Sequence, residues 1–226
     1  MLIKKLFFFT FLIVFSKLTF SQTNKLALGV SFGPTLSTVK GDLYTFGKID
    51  LMTSSYFSFK FNSEINRSFN IAADLNYETK GFLIKNSTMT DNAGNDLGEG
   101  TTKVKNNYLT VAIKGRVKFG DKVSYYINAG PYFGYLLNSK EYNTPYTPIN
   151  LGGVYYNGSE KDVTSNFKNI DFGLSAGIGL VLPISNKIQF NTEINNNFGF
   201  SNISKYYNTI KTRSMNFGIG IYYLLK

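Results

Sequence analysis

The feature that most constrains this chain is a period of two that returns eight times between Leu26 and Leu225. Side chains of an extended strand point alternately to opposite faces, so such runs make ribbons with one apolar and one polar side. Phe57, Phe59 and Phe61 alternate with Ser58, Lys60 and Asn62. Leu26, Leu28, Val30 and Phe32 alternate with Ala27, Gly29 and Ser31. Phe69, Ile71, Ala73, Leu75 and Tyr77 oppose Asp74, Asn76 and Glu78, and Leu109, Val111, Ile113 and Val117 oppose Thr110, Lys114, Arg116 and Lys118. The pattern recurs around Tyr125 to Tyr135, Asp171 to Leu182, Ile188 to Asn195 and Met215 to Leu225. Most runs reach the 9 to 11 residues that a tilted strand needs to cross a bilayer. Lipid offers the backbone no hydrogen-bond partner, so strands cross it only as a closed barrel. The sequence therefore predicts an all-β fold, a closed antiparallel eight-stranded transmembrane up-and-down β-barrel.

The connections fit that topology. Long polar segments over residues 37–52, 84–103, 138–169 and 203–211 alternate with short ones near residues 64–67, 120–122 and 185–187. Outer-membrane barrels carry long loops outside and tight turns on the periplasmic side. Two features fit less well. Pro131 falls inside the fifth run, where it removes a ladder donor, and predicts a bulge beside Gly130. The chain ends Leu225-Lys226 and not on an aromatic residue, so Tyr223 takes the outward terminal position.

The N-terminus reads as an export signal. Lys4 and Lys5 precede an apolar run over residues 6–15, broken only by Thr10, and Thr19 and Ser21 supply the small residues before a cleavage point. That run is too short for a transmembrane helix and fits a signal core of roughly 7 to 15 residues. A cleaved signal peptide over residues 1–21 and one barrel domain over 22–226 follow. The sequence carries 24 basic and 14 acidic residues, a formal charge of +10. The excess is spread thinly, with no basic run of the kind that makes a nucleic-acid arm, so no nucleic-acid partner is expected. Absence of cysteine and histidine rules out a disulfide framework, thiolate metal sites and a Ser-His-Asp triad. No catalytic, cofactor or metal site is expected.

A soluble lipocalin-like binding barrel would show the same alternation with the faces exchanged. The polar faces here are rich in glycine, serine and alanine, as a narrow lumen requires, and the chain has no tryptophan. A membrane barrel with outer-membrane lipid around it is the stronger reading, as a monomer in the bacterial outer membrane.

The chain resembles the PorT-type outer-membrane β-barrel family of Bacteroidetes across nearly all of the mature sequence. The residues that carry the resemblance are Leu75-Asn76-Tyr77 with Lys80-Gly81, Asn107-Tyr108-Leu109, Asn128-Ala129-Gly130-Pro131-Tyr132 with Gly134-Tyr135, Asp171-Phe172-Gly173 with Gly177, and Phe198-Gly199 with Ser201-Asn202-Ile203. These motifs are short and partly dictated by barrel geometry. The resemblance implies an accessory role in protein secretion for the founding member, while most relatives have no established role.

Counting along the strands puts Asp74, Lys114, Arg116 and Glu193 at similar depth on inward faces. They are expected to meet as an ion-pair network that fills the lumen; a charged gate or proton path is the alternative. Asp91, Asn92, Asn95, Asp96 and Glu99 crowd one loop but do not match a calcium template, so they read as a solvated turn. Asn157-Gly158 is expected to turn a small loop hairpin whose Tyr155 and Tyr156 contact a partner or neighbouring loops. Tyr125, Phe133 and Tyr135 read as interfacial girdle residues. The functional expectation is a non-enzymatic outer-membrane barrel that engages an envelope or secretion partner through its extracellular loops, with a small passive channel as the alternative.

Overall fold

A computed structural model describes residues 25–41, 47–90, 96–120, 123–145, 150–151, 154–155, 159–206 and 209–225. The export signal, Tyr156, the Asn157-Gly158 pair, and Asp91, Asn92 and Asn95 lie outside these residues. Among the described residues eight long strands form the ring: β1 Leu26–Lys40, β2 Met52–Glu64, β3 Phe69–Thr90, β4 Asp96–Phe119, β5 Ser124–Pro145, β6 Ile170–Pro183, β7 Ile188–Gly199 and β8 Lys211–Leu225. Each pairs antiparallel with its chain neighbour, and β8 closes onto β1 with Leu26 opposite Leu225. No edge is left at membrane height, which lipid requires.

The faces resolve the choice between a lipid-facing and a soluble barrel. Phe59, Ile113, Ile127, Phe133 and Ile178 point outward and are 50% exposed or more, while Lys60, Asp74, Lys114, Arg116 and Glu193 point inward and are buried. A soluble barrel would reverse this. Phe119 and Tyr125 stack at 5.9 Å near the short turns and form part of the lower girdle, and Tyr223 points outward in the terminal strand, opposite Leu28 of β1. Tyr77, Leu109 and Tyr135 pair across β3, β4 and β5 at the upper limit of the apolar band. Directly above them the outer face turns polar: Thr79 donates to Asn107 at 2.6 Å, and Asn107 donates to Asn138 at 2.8 Å.

Two of the short turns lie where the sequence suggests them. Asn66 Oδ1 accepts the Ser68 and Phe69 N–H groups, and Ser185 Oγ accepts those of Lys187 and Ile188. The long connections differ from expectation, because much of 84–103 and 138–169 is strand. β3, β4 and β5 run 22, 24 and 22 residues and rise as a tall half-wall over the low half made by β6, β7, β8, β1 and β2. Strands Lys48–Asp50 and Ser159–Asp162 extend that wall on either side. These stretches escaped the periodicity because both of their faces are outside lipid, so no apolar face is imposed while the hydrogen-bond ladder continues from Lys80↔Asn106 to Ile84↔Thr102.

Pro131 also departs from expectation. Register runs unbroken from Ala112↔Tyr132 to Gly115↔Ala129, so there is no bulge; pairing to β4 lapses for two residues and continues on the β6 side. The same happens at Gly33-Pro34, where pairing to β8 lapses between Phe32↔Ile219 and Thr35↔Asn216. A Cβ on Gly130 would sit 2.0 Å from the Ile113 carbonyl oxygen, and one on Gly33 would sit 1.8 Å from that of Phe217. Glycine lets the neighbouring strand close in where proline offers no donor, and that replaces a bulge. A bulge does occur on β5 at Leu137, between Asn107↔Asn138 and Tyr108↔Leu136, where the wall leaves the apolar band. In the third long connection Asn150–Leu151 pairs with Val154–Tyr155, and the Asn-Gly pair expected to turn a hairpin there lies outside the described residues.

Candidate functional site

Eight buried charged side chains among the described residues line the bore, and they separate into two tiers. The lower tier brings together all four residues singled out from the sequence and adds Lys60 from β2. Lys114 lies 2.6 Å from Asp74, Lys60 lies 2.8 Å from Glu193 and 3.5 Å from Asp74, and Arg116 Nη2 lies 3.2 Å from Glu193. Glu193 is the hub. Tyr126 and Asn128 donate to its Oε2 at 2.8 and 3.0 Å, and Asn195 donates to its Oε1. The Arg116 guanidinium lies 3.9 Å from the centre of the Tyr126 ring. Three bases against two acids leave this tier with one net positive charge.

The upper tier was missed in the sequence. Lys80 sits 3.1 Å from both Glu78 and Asp171 and faces the Tyr132 ring at 4.4 Å. Tyr132, Thr212 and Ser201 donate to the Asp171 carboxylate at 3.1, 2.8 and 3.0 Å. Asn216 donates to Glu78 at 3.1 Å. One base against two acids leaves one net negative charge, so the two tiers balance each other. Lys60, Glu78, Lys80 and Asp171 each stand on the polar side of an alternating run, and that was the available signal. Nothing in a single strand says that residues 91 positions apart, Lys80 and Asp171, are at one height.

Above the tiers the interior changes character. Phe82 of β3, Val104 and Tyr108 of β4 and Leu136 of β5 keep the inward phase but meet Val39, Val163, Phe167, Ile203 and Ile210 in an apolar cluster. Residues 163–169, 201–206 and 209–210 fold over the bore to supply it. Lys168 N–H donates to the Ile203 carbonyl at 2.7 Å, Ile203 N–H to Ile210 at 2.8 Å, and Phe167 bridges Ser204. The cap is pinned to the tall wall by Val163 N–H on the Ser139 carbonyl at 3.0 Å. Asp162 accepts the Thr164 N–H at 2.9 Å, and that hydrogen bond holds its carboxyl below the ordinary range. On the wall's flank Lys85 pairs with Asp50 at 2.6 Å, and its hydrogen bond lowers the Asp50 carboxyl likewise.

Chemically, each buried carboxylate among the described residues is held by a lysine or arginine. Among the described residues no cluster of acids is arranged to hold a metal. Asp96 and Glu99 lie in the first turn-ward residues of β4. Tyr155 lies in the second strand of a two-stranded sheet separate from the barrel sheet.

The outer membrane protein β-barrel domain family matches residues 20–205. The structure of outer membrane protein AlkL in lipid bilayers is similar, with a TM-score of 0.51 at 10% identity over 90% of this chain and 91% of AlkL. OprG from Pseudomonas aeruginosa gives 0.48 at 11% identity over 90% and 96%, and Neisserial surface protein A gives 0.46 at 13% over 87% and 97%. Identities this low speak to fold alone. No curated protein matches the sequence. A family match that spans most of the sequence, on a barrel whose apolar face is turned outward, means that this chain belongs to the outer membrane protein β-barrel domain family and resides in the bacterial outer membrane.

Proposed function

We propose that the protein is a non-enzymatic barrel that works through its extracellular end by engaging an envelope partner, and that its bore passes no solute. The observation that carries this reading is the double closure of the bore. An eight-stranded barrel has an interior just wide enough for side chains to fill, and here charged side chains meet across it at 2.6 to 3.2 Å. The apolar cap then covers the outer mouth. The buried charges serve as an ion-pair network that fills the interior, not as a gate. What projects outward is the tall wall of β3, β4 and β5 with the hairpin that bears Tyr155, a surface on a rigid scaffold where a partner can dock. The PorT-type resemblance makes the protein-secretion apparatus the partner class to test first.

Two measurements decide it. In planar bilayers the wild-type barrel and Arg116→Ala are both expected to stay at baseline conductance, with Arg116→Ala unfolding at lower denaturant; discrete conductance steps would establish the passive channel instead. A deletion strain is expected to lose particular secreted proteins from its medium and to regain them with the wild-type gene. An unchanged secretome removes the secretion role while leaving the closed-bore reading to stand on conductance.

A further inference from the structure

Among the described residues some cations of the extracellular rim meet a carboxylate and others do not. On the tall wall Lys85 and Lys140 each meet a carboxylate at 2.6 Å, from Asp50 and Glu160. On the low half Lys168, Lys205 and Arg213 have no carboxylate within ion-pair distance among the described residues, although they stand where the barrel wall leaves the membrane. We propose that this low rim is a binding site for a phosphorylated lipid of the outer leaflet, its phosphate held by Lys168, Lys205 and Arg213 and its acyl chains lying along Phe172, Leu174 and Phe198.

The site is amphiphilic by construction. A groove of about 680 Å³ is lined by Lys168, Ile170, Phe172, Ser201 and Lys205, so both lysines share it with two outward apolar side chains. Below it the outer face is continuous: Phe200 N–H donates to the Phe172 carbonyl at 2.8 Å, and Leu174, Phe198 and Arg213 are direct cross-strand neighbours. Arg213 is held flat on this face, with Nη1 donating to the Gly199 carbonyl at 2.9 Å and to that of Thr212 at 3.1 Å, and its guanidinium 5.4 Å from the Phe198 ring centre. Lys205 is steadied by the Ser165 carbonyl at 2.9 Å. Charge complementarity selects the occupant. Three uncompensated cations directly above an aromatic ledge at the membrane surface match an anion that carries its own hydrocarbon. A free phosphate ion would leave Phe172 and Phe198 without a role, and a soluble acidic protein would have to reach into the lipid to meet them.

The test uses the full mature chain folded in phosphatidylcholine nanodiscs, with a bisphosphorylated lipid A and the same lipid without phosphates as probes, counted by native mass spectrometry. The wild type is expected to retain the phosphorylated probe selectively. Lys168→Gln/Lys205→Gln/Arg213→Gln is expected to weaken it roughly a hundredfold, about fivefold for each charge. Lys85→Gln/Lys140→Gln, which removes the paired cations of the tall wall, is expected to leave retention unchanged. The heat-sensitive gel mobility of the unboiled barrel reports folding; if the triple variant is not folded, Lys168→Gln/Lys205→Gln changes only two exposed side chains and should lose roughly twenty-five-fold. The proposal is overturned if a folded variant keeps wild-type retention, if the dephosphorylated probe binds equally, or if the tall-wall variant loses as much. Full displacement by millimolar inorganic phosphate would assign the cations to a free anion and overturn it as well.

Discussion

At membrane height and above it, the same strands obey one geometry and two opposite chemistries. On β3 the inward positions pass from Asp74, Glu78 and Lys80 to Phe82, and on β4 from Arg116 and Lys114 to Val104, without a break in phase. The outward positions run the other way, from Leu75 and Ile113 in the apolar band to Lys103 and Lys105 on the wall above it. The difference teaches that the solvent outside sets the code. Lipid demands an apolar exterior and leaves the polar residues to satisfy one another inside, whereas water outside lets the ordinary apolar core return. One barrel is therefore closed twice, first by ion pairs and then by a cap.

Predictions that break or sharpen this contrast differ in size. Glu193→Ala should have the largest effect, about 3–5 kcal/mol in urea unfolding from lipid vesicles, because Lys60 and Arg116 lose their common acceptor while staying buried. A loss below 1 kcal/mol would mean that the lower tier is not held as a network. On the outward face, Ile113→Lys should cost about 2–4 kcal/mol where lipid surrounds it. Leu83→Lys, a substitution on the same face of the wall above the band, should stay within about 0.5 kcal/mol by the same assay. Equal costs at the two heights would sink the inversion.

Within the cap, Ile203→Val should cost about 0.5–1.5 kcal/mol and leave the conductance of the folded barrel at baseline, since the charged tiers still fill the bore. The smallest effect is a titration. The Asp162 carboxyl is lowered in the folded state, so its hold on Thr164 is complete above the ordinary carboxylate range and is lost only as pH falls through the lowered value. In the folded barrel the Thr164 amide resonance should therefore move with a midpoint below 3.8, and a midpoint at or above 3.8 would show that this anchor is not formed.

How much of this was legible follows the same boundary. Within the apolar band each strand advertises itself, because lipid on one side forces alternation: Phe57, Phe59 and Phe61 announce β2 unaided. Residues 84–90 and 96–103 show no such pattern, and their strands rest on cross-strand hydrogen bonds that no local sequence encodes. The lower tier was visible as charges at matching depth on inward faces, yet Lys60 was passed over although it stands between those phenylalanines. Asp171 lay beyond reach for another reason, since its distance from Lys80 depends on barrel stagger.

By itself the sequence determined the number of membrane-crossing strands, which residues share each face, and which ends carry the long connections, because each follows from a two-residue period or a turn and needs no distant partner. Only the tertiary structure decided which face meets lipid, that the charges divide into two oppositely charged tiers, that the bore is capped by an apolar cluster, and that Lys168, Lys205 and Arg213 have no carboxylate at ion-pair distance among the described residues. Those facts depend on ring closure, which sets side chains from strands far apart in the chain at a common height inside one narrow wall.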